Sequence, residues 1–166
     1  LRRNERCLVV VADRGQARLY TIEANDATRQ GAALVERAAL ANPDPRSLGR
    51  SVPGRPRTET NTNRQAGPVH PMGAQRERHR LELHRRFAAE IAASAAKLTS
   101  TWPRGAVVLI AEPGLLGLAR ELMRGAVDPR VDLKELARDY AHLTRGELYE
   151  QLIAGGVLPE TRGSAR

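Results

Sequence analysis

The chain has 166 residues, the length of one domain, and carries 27 Lys and Arg against 19 Asp and Glu, a net charge of +8. A chain of this size can bury a core without disulfides or metal, and its single cysteine, Cys7, excludes an internal disulfide. Aromatic residues make up only 3%, which argues against a single-strand-binding platform of several stacked rings and leaves backbone and shape as the means of any nucleic-acid contact.

Leu1-Arg2-Arg3 leads directly into an apolar stretch that reads as a strand rather than a signal peptide, so with the lone thiol the expected compartment is a reducing cytoplasm. No apolar run approaches the roughly 20 residues that span a bilayer. Cys7 to Ala12 is β-branched and apolar, Asp13-Arg14-Gly15 breaks it, and Gln16 to Ile22 resumes it, which predicts a hairpin. Cys7 itself reads as a packed core thiol. Ala32 to Ala39 is a third strand candidate that would extend the sheet antiparallel, although its alanines also suit a helix.

The stretch from Asn42 to Gln75 then interleaves six prolines with arginines, a composition that predicts a long basic flexible loop over 41–75. From Ala41 to Arg86 there are ten arginines against four acids, so +6 of the net charge lies in this stretch. Such a concentration is the footprint expected of contact with phosphates, and a solvated linker would have the same composition.

Gln75 to Ser100 is expected to be helical, with Phe87, Ile91, Ala95 and Leu98 on one stripe. Ala106 to Ala111 is apolar at every position, as a central strand covered on both faces should be. Pro113 suits the first turn of a second helix. Arg130 to Leu136 fits either a last strand or a short helix. Thr144-Arg-Gly-Glu147 is a capping box flanked by Leu143 and Leu148 as a staple, predicting a final helix to about Ala154. The expected organisation is one α/β domain over 1–154, in the order β-β-β-(long loop)-α-β-α-β-α with helices packed on a mixed sheet, followed by a disordered tail over 155–166.

Two stretches carry a resemblance: Val10-Val11-Ala12-Asp13-Arg14-Gly15-Gln16-Ala17-Arg18-Leu19-Tyr20, and the run from Phe87 through Pro113, Leu116-Gly117 and Leu143-Thr144 to Leu148. Together they resemble the bacterial family of host attachment proteins, required for attachment to host cells. That family looks like a relative of the catalytic middle domain of archaeal and eukaryotic class-one peptide release factors, which implies a ribonuclease-H-like fold. In those factors a Gly-Gly-Gln tripeptide stands on a mobile loop before the long helix, and Gly73-Ala74-Gln75 occupies the corresponding place here. The departure is Ala74, whose Cβ disfavours the positive φ and close backbone approach that a second glycine permits. The chain is also too short to hold separate stop-codon-reading and partner-binding domains, so termination is not implied.

Several chemistries follow as expectations. Arg55, Arg57, Arg64, Arg76, Arg78 and Arg80 would hold phosphates of ribosomal or transfer RNA, making the protein a binding module with the ribosome or transfer RNA as partner. Gly73 and Gln75 would form any catalytic tip, orienting water on a peptidyl-transfer-RNA ester in ribosome rescue, although the same residues suit a plain helix start. Adhesion at the cell surface is the family name taken literally, and anionic membrane headgroups would attract the same patch. Asp13, Glu112 and Asp139 could hold metals only if they converged at one sheet edge, and each has a plainer role as turn, helix-start or surface residue. No metal or cofactor is expected. His70, His79, His84 and His142 lack a nucleophile partner, and Gly114 and Gly117 lack the full pattern of a phosphate loop.

Overall fold

The structure is a computed structural model that describes residues 6–25, 31–43 and 72–159, with side chains of the first helix from Gln75 onward. Its elements in chain order are β1 (Cys7–Ala12), β2 (Gln16–Ala24), β3 (Ala32–Ala41), α1 (Met72–Thr99), β4 (Gly105–Ala111), α2 (Pro113–Ala126), β5 (Val131–Ala137) and α3 (Arg145–Ala154). They form an α/β domain around one five-stranded mixed sheet ordered β3-β2-β1-β4-β5. Pairs β1–β2 and β2–β3 run antiparallel, whereas β1–β4 and β4–β5 run parallel.

The central position of β1 and β4 follows from their composition. Every residue of both strands is buried, which requires helices on both faces. On one face Leu8, Val10, Val107 and Leu109 meet Phe87, Ile91 and Ala95 of α1 and Ala119 and Met123 of α2. On the other, Val9, Val11, Val108 and Ile110 meet Leu148, Tyr149 and Leu152 of α3. Each large side chain so buried contributes roughly 1.5–3 kcal/mol. Cys7 is buried on the α3 side, as expected of a packed thiol. Gly105 begins β4 because a Cβ there would come within 2.6 Å of the Trp102 ring and 2.8 Å of the Arg6 carbonyl oxygen.

The third segment is a strand, and it carries an irregularity that alternation alone did not reveal. Leu19 pairs with Ala38 but Tyr20 with Glu36, leaving Arg37 as the extra residue of a β-bulge. The bulge shifts the period-two phase, so Leu34 faces the α3 core while Ala38 and Leu40 face the α1/α2 core. Arg37, put out of register, donates to Thr21 Oγ1 at 2.8 Å and pairs with Glu23. The segment at 131–137 is also a strand: Val131 and Leu133 pack on the α1/α2 side, and Leu136 on the α3 side. Glu135, turned to the α2 side, takes Arg120 and Arg124 at 3.3 Å each.

α1 begins at Met72, three residues before the expected Gln75, so Gly73-Ala74-Gln75 lies within the first helical turn instead of on a loop ahead of it. Met and Ala are good helix formers, and nothing in that triplet but Gly73 opposes the extension. The helix has 28 residues and is therefore about 42 Å long, against roughly 23 Å for a seven-residue strand. It cannot lie wholly on the sheet. Residues 75–86 are all exposed or half-buried, and burial begins at Phe87 and Ala88. The arginine-rich half of α1 overhangs the body.

α3 starts with the expected capping box. Glu147 N–H donates to Thr144 Oγ1 at 3.4 Å, and Thr144 N–H and Oγ1–H donate to Glu147 Oε2 at 2.8 and 2.7 Å. These bonds hold the Glu147 carboxyl below its ordinary pKa, the Thr144 hydroxyl being the largest cause. A depressed folded-state pKa stabilises the fold above the unfolded value and loses that contribution as pH falls through the folded value. Thr144→Ala is thus expected to cost about 1 kcal/mol in urea denaturation at neutral pH. The cost should shrink in acid, as Glu147 protonates.

The chain stays packed past Ala154, contrary to the expected tail beginning at 155. Gly156, at φ 66°, donates to Ile153 O, and Val157 N–H donates to Leu152 O, the two bonds of a Schellman motif. This turns Leu158 into the α3-side core, where it is 3% exposed. Residues 160–166 and, of the 41–75 segment, residues 44–71 lie outside the described residues.

Candidate functional site

The overhang of α1 roofs a cleft of about 780 Å³ at the carboxyl ends of β1 and β4. Chain direction explains its position. After β1 the chain turns toward β2 and β3, and after β4 it turns the opposite way toward β5, so the crevice between β1 and β4 is a topological switch point. Ligands of open α/β sheets bind outside the strand carboxyl ends at such a point.

The cleft's far wall is a pinned turn. Asp13 Oδ1 accepts from Gly15 N–H at 2.6 Å and Gln16 N–H at 2.8 Å, the natural use of Asp after a strand. Asn42, only 2% exposed, closes the turn from β3: its amide donates to Arg14 O at 2.6 Å and its N–H to Gly15 O at 2.8 Å. Arg14 is thereby aimed across the sheet edge. Its Nε donates to Glu112 Oε1 at 2.5 Å, and that carboxylate raises the guanidinium pKa above its ordinary value. Glu112 stands at the N-cap of α2 without capping it, its side chain being drawn to Arg14 instead.

The roof supplies Arg78, Arg80, Leu81, His84 and Arg85, while Leu115 and Leu118 of α2 and the buried Phe87 give an apolar floor. Four arginines, Arg14, Arg78, Arg80 and Arg85, therefore line the cleft with two carboxylates, Glu82 and Glu112. Arg80 pairs with Glu77 on its own helix, and Arg86 with Glu82 at 3.4 Å. Neither Arg78 nor Arg85 has an ion-pair partner among the described residues. The site can neutralise an anion and at the same time cover an apolar group.

Of the residues singled out from the sequence, Arg78 and Arg80 line the cleft, and Arg76 is exposed one turn or less away on the same helix. Gln75 is exposed in the first turn of α1, and the backbone of Gly73 is helical there. Arg55, Arg57 and Arg64 lie outside the described residues. Asp13, Glu112 and Asp139 do not come together: Asp13 holds its turn, Glu112 holds Arg14, and Asp139 stands 3.9 Å from His142. Among the described residues no three His, Cys, Asp or Glu side chains are grouped to hold a metal ion. Arg14, Asn42 and Leu81 were not foreseen. The Arg14–Glu112 contact spans 98 residues and depends on β1 and β4 being neighbours, for which no local sequence signal exists.

Among the described residues no helix is long and apolar enough to cross a membrane. A family model described as "Protein required for attachment to host cells" matches residues 8–152. No curated protein matches the chain.

Proposed function

The chain belongs to the family of proteins required for attachment to host cells, and on that premise we propose that it is an RNA-binding module, its ligand being ribosomal or transfer RNA held at the arginine-lined cleft and along the overhanging half of α1. The observation that carries this reading is the convergence of Arg14, Arg78, Arg80 and Arg85 on one crevice, two of them without an acidic partner among the described residues. Exposed guanidinium groups in a shared concavity raise the local potential and attract the phosphates of a nucleic acid. Arg76 extends the positive stripe along the helix.

The reading takes the core to be ribonuclease-H-like, of the release-factor middle-domain kind, and places the protein in the cytoplasm with the ribosome. Its support is the mixed sheet ordered β3-β2-β1-β4-β5, with a long helix following the third strand and bearing Gly73-Ala74-Gln75 in its first turn. Binding is favoured over ester hydrolysis because a helical backbone does not present Gln75 on an extended tip.

Cosedimentation with ribosomes across a salt series tests the proposal. With about three or four phosphates neutralised, the association constant should fall by roughly two to three and a half orders of magnitude per tenfold rise in salt. Failure to cosediment at the lowest salt would end the RNA reading. The family description favours a second reading, attachment at a cell surface through the same cationic face; labelling of intact cells with a membrane-impermeant reagent distinguishes it, since a ribosome-bound protein stays unlabelled.

A further inference from the structure

The cleft combines features that a site for bare phosphates would not need. Its volume of about 780 Å³ lies within the roughly 300–1,000 Å³ typical of sites for whole organic ligands. Its floor is apolar, formed by Leu115 and Leu118 above Phe87. Leu81, 54% exposed, is the exposed large hydrophobic residue among the described residues, and it sits in the roof between charged neighbours, facing this same space. Glu112 places a carboxylate inside, with one oxygen already given to Arg14. Phosphates alone would leave the leucines wet and offer no donor to the second oxygen of that carboxylate. A ligand with a single anionic group, hydroxyls and one flat apolar body matches all three kinds of lining.

Resting on the RNA-binding reading above, we propose that the cleft takes a single unstacked nucleotide of a single-stranded segment, its phosphate on Arg78 and Arg85 and its base between Leu81 and the Leu115–Leu118 floor. A duplex cannot supply such a group without breaking its stack, whereas a loop, bulge or chain end can splay a base outward. Glu112 is then an acceptor for sugar hydroxyls. The scarcity of aromatics is no obstacle, because the base is covered by aliphatic side chains and by the planes of the guanidinium groups.

Calorimetric titration of the full chain with adenosine 5′-monophosphate and with ribose 5-phosphate tests the assignment. The nucleotide should bind about tenfold tighter than the sugar phosphate, the excess reporting the covered base. Arg85→Ala, at an exposed position, should weaken both ligands and keep the gap between them; Leu81→Ala, also exposed, should narrow the gap. Equal affinities of the two ligands, or a gap untouched by Leu81→Ala, would overturn the pocket, as would absence of nucleotide binding in protein that cosediments with ribosomes. Nucleotide binding with the expected gap in protein that ignores ribosomes at every salt would leave the pocket standing and remove the RNA reading.

Discussion

Replacing Arg78 and Arg85 together by alanine should weaken binding to ribosomes or ribosomal RNA by about 10- to 100-fold at low salt, since each lost charge-assisted contact is worth roughly 1.5–3 kcal/mol before solvent screening reduces it. The same variant should lower the salt slope by about 1.4, two contacts at roughly 0.7 each on a single strand. Both side chains are exposed, so the fold should not pay for their loss. The control is Lys97→Ala with Arg104→Ala. These two residues are also exposed and change the net charge by the same amount, but they flank the amino end of β4, at the opposite end of the strands from the cleft. If overall charge governed association, the two double variants would behave alike. That result would discard the cleft as the binding site; a loss confined to Arg78 and Arg85 would fix it there.

The contrast between those pairs shows what local patterns can and cannot convey. That α1 carries cations was plain from composition, because Arg76, Arg78 and Arg80 alternate along a few residues. The burial of β4 was equally plain, since an unbroken apolar run of that length leaves little choice but the middle of a covered sheet, whereas the similar run of β1 read only as one arm of a hairpin. Thr144 and Glu147 announced α3 by a spacing with a single mechanical purpose. The cleft is different in kind. Arg14 and Glu112 each had a sufficient local role, one in a turn and one at a helix start, and only the parallel pairing of Ala12 with Ala111 brings them together. Arg37 was hidden for a related reason. A bulge moves Ala38 and Leu40 to the opposite face from Leu34, and a segment rich in alanine gives no large side chain to mark the change. Nor did the charges show how much of α1 would overhang. That follows from comparing the helix's length with the strand it packs on, which is a three-dimensional comparison.

Phe87 marks where the overhang ends, and its removal is the most damaging single change expected. The ring is fully buried against the sheet, and among the described side chains of α1 it is the first buried one after an exposed arginine-rich stretch. Phe87→Ala should cost about 3–5 kcal/mol, the transfer term for the ring plus the cavity left beneath the helix. With a urea m-value of roughly 1–3 kcal/mol per molar, the unfolding midpoint should drop by more than about 1 M. Leu81→Ala, only six positions earlier, should stay within about 0.5 kcal/mol, because Leu81 is half exposed and packs on little. Hydrogen exchange should draw the same border, with amides after Phe87 opening only with the core and those of residues 75–86 opening far more readily. If the two substitutions cost the same, α1 is packed along its whole length, the roof is not free to receive a strand of RNA, and the cleft closes as a candidate site. If they differ as expected, one helix serves two ends: its C-terminal half as a wall of the core and its N-terminal half as the cationic cover of the crevice between β1 and β4.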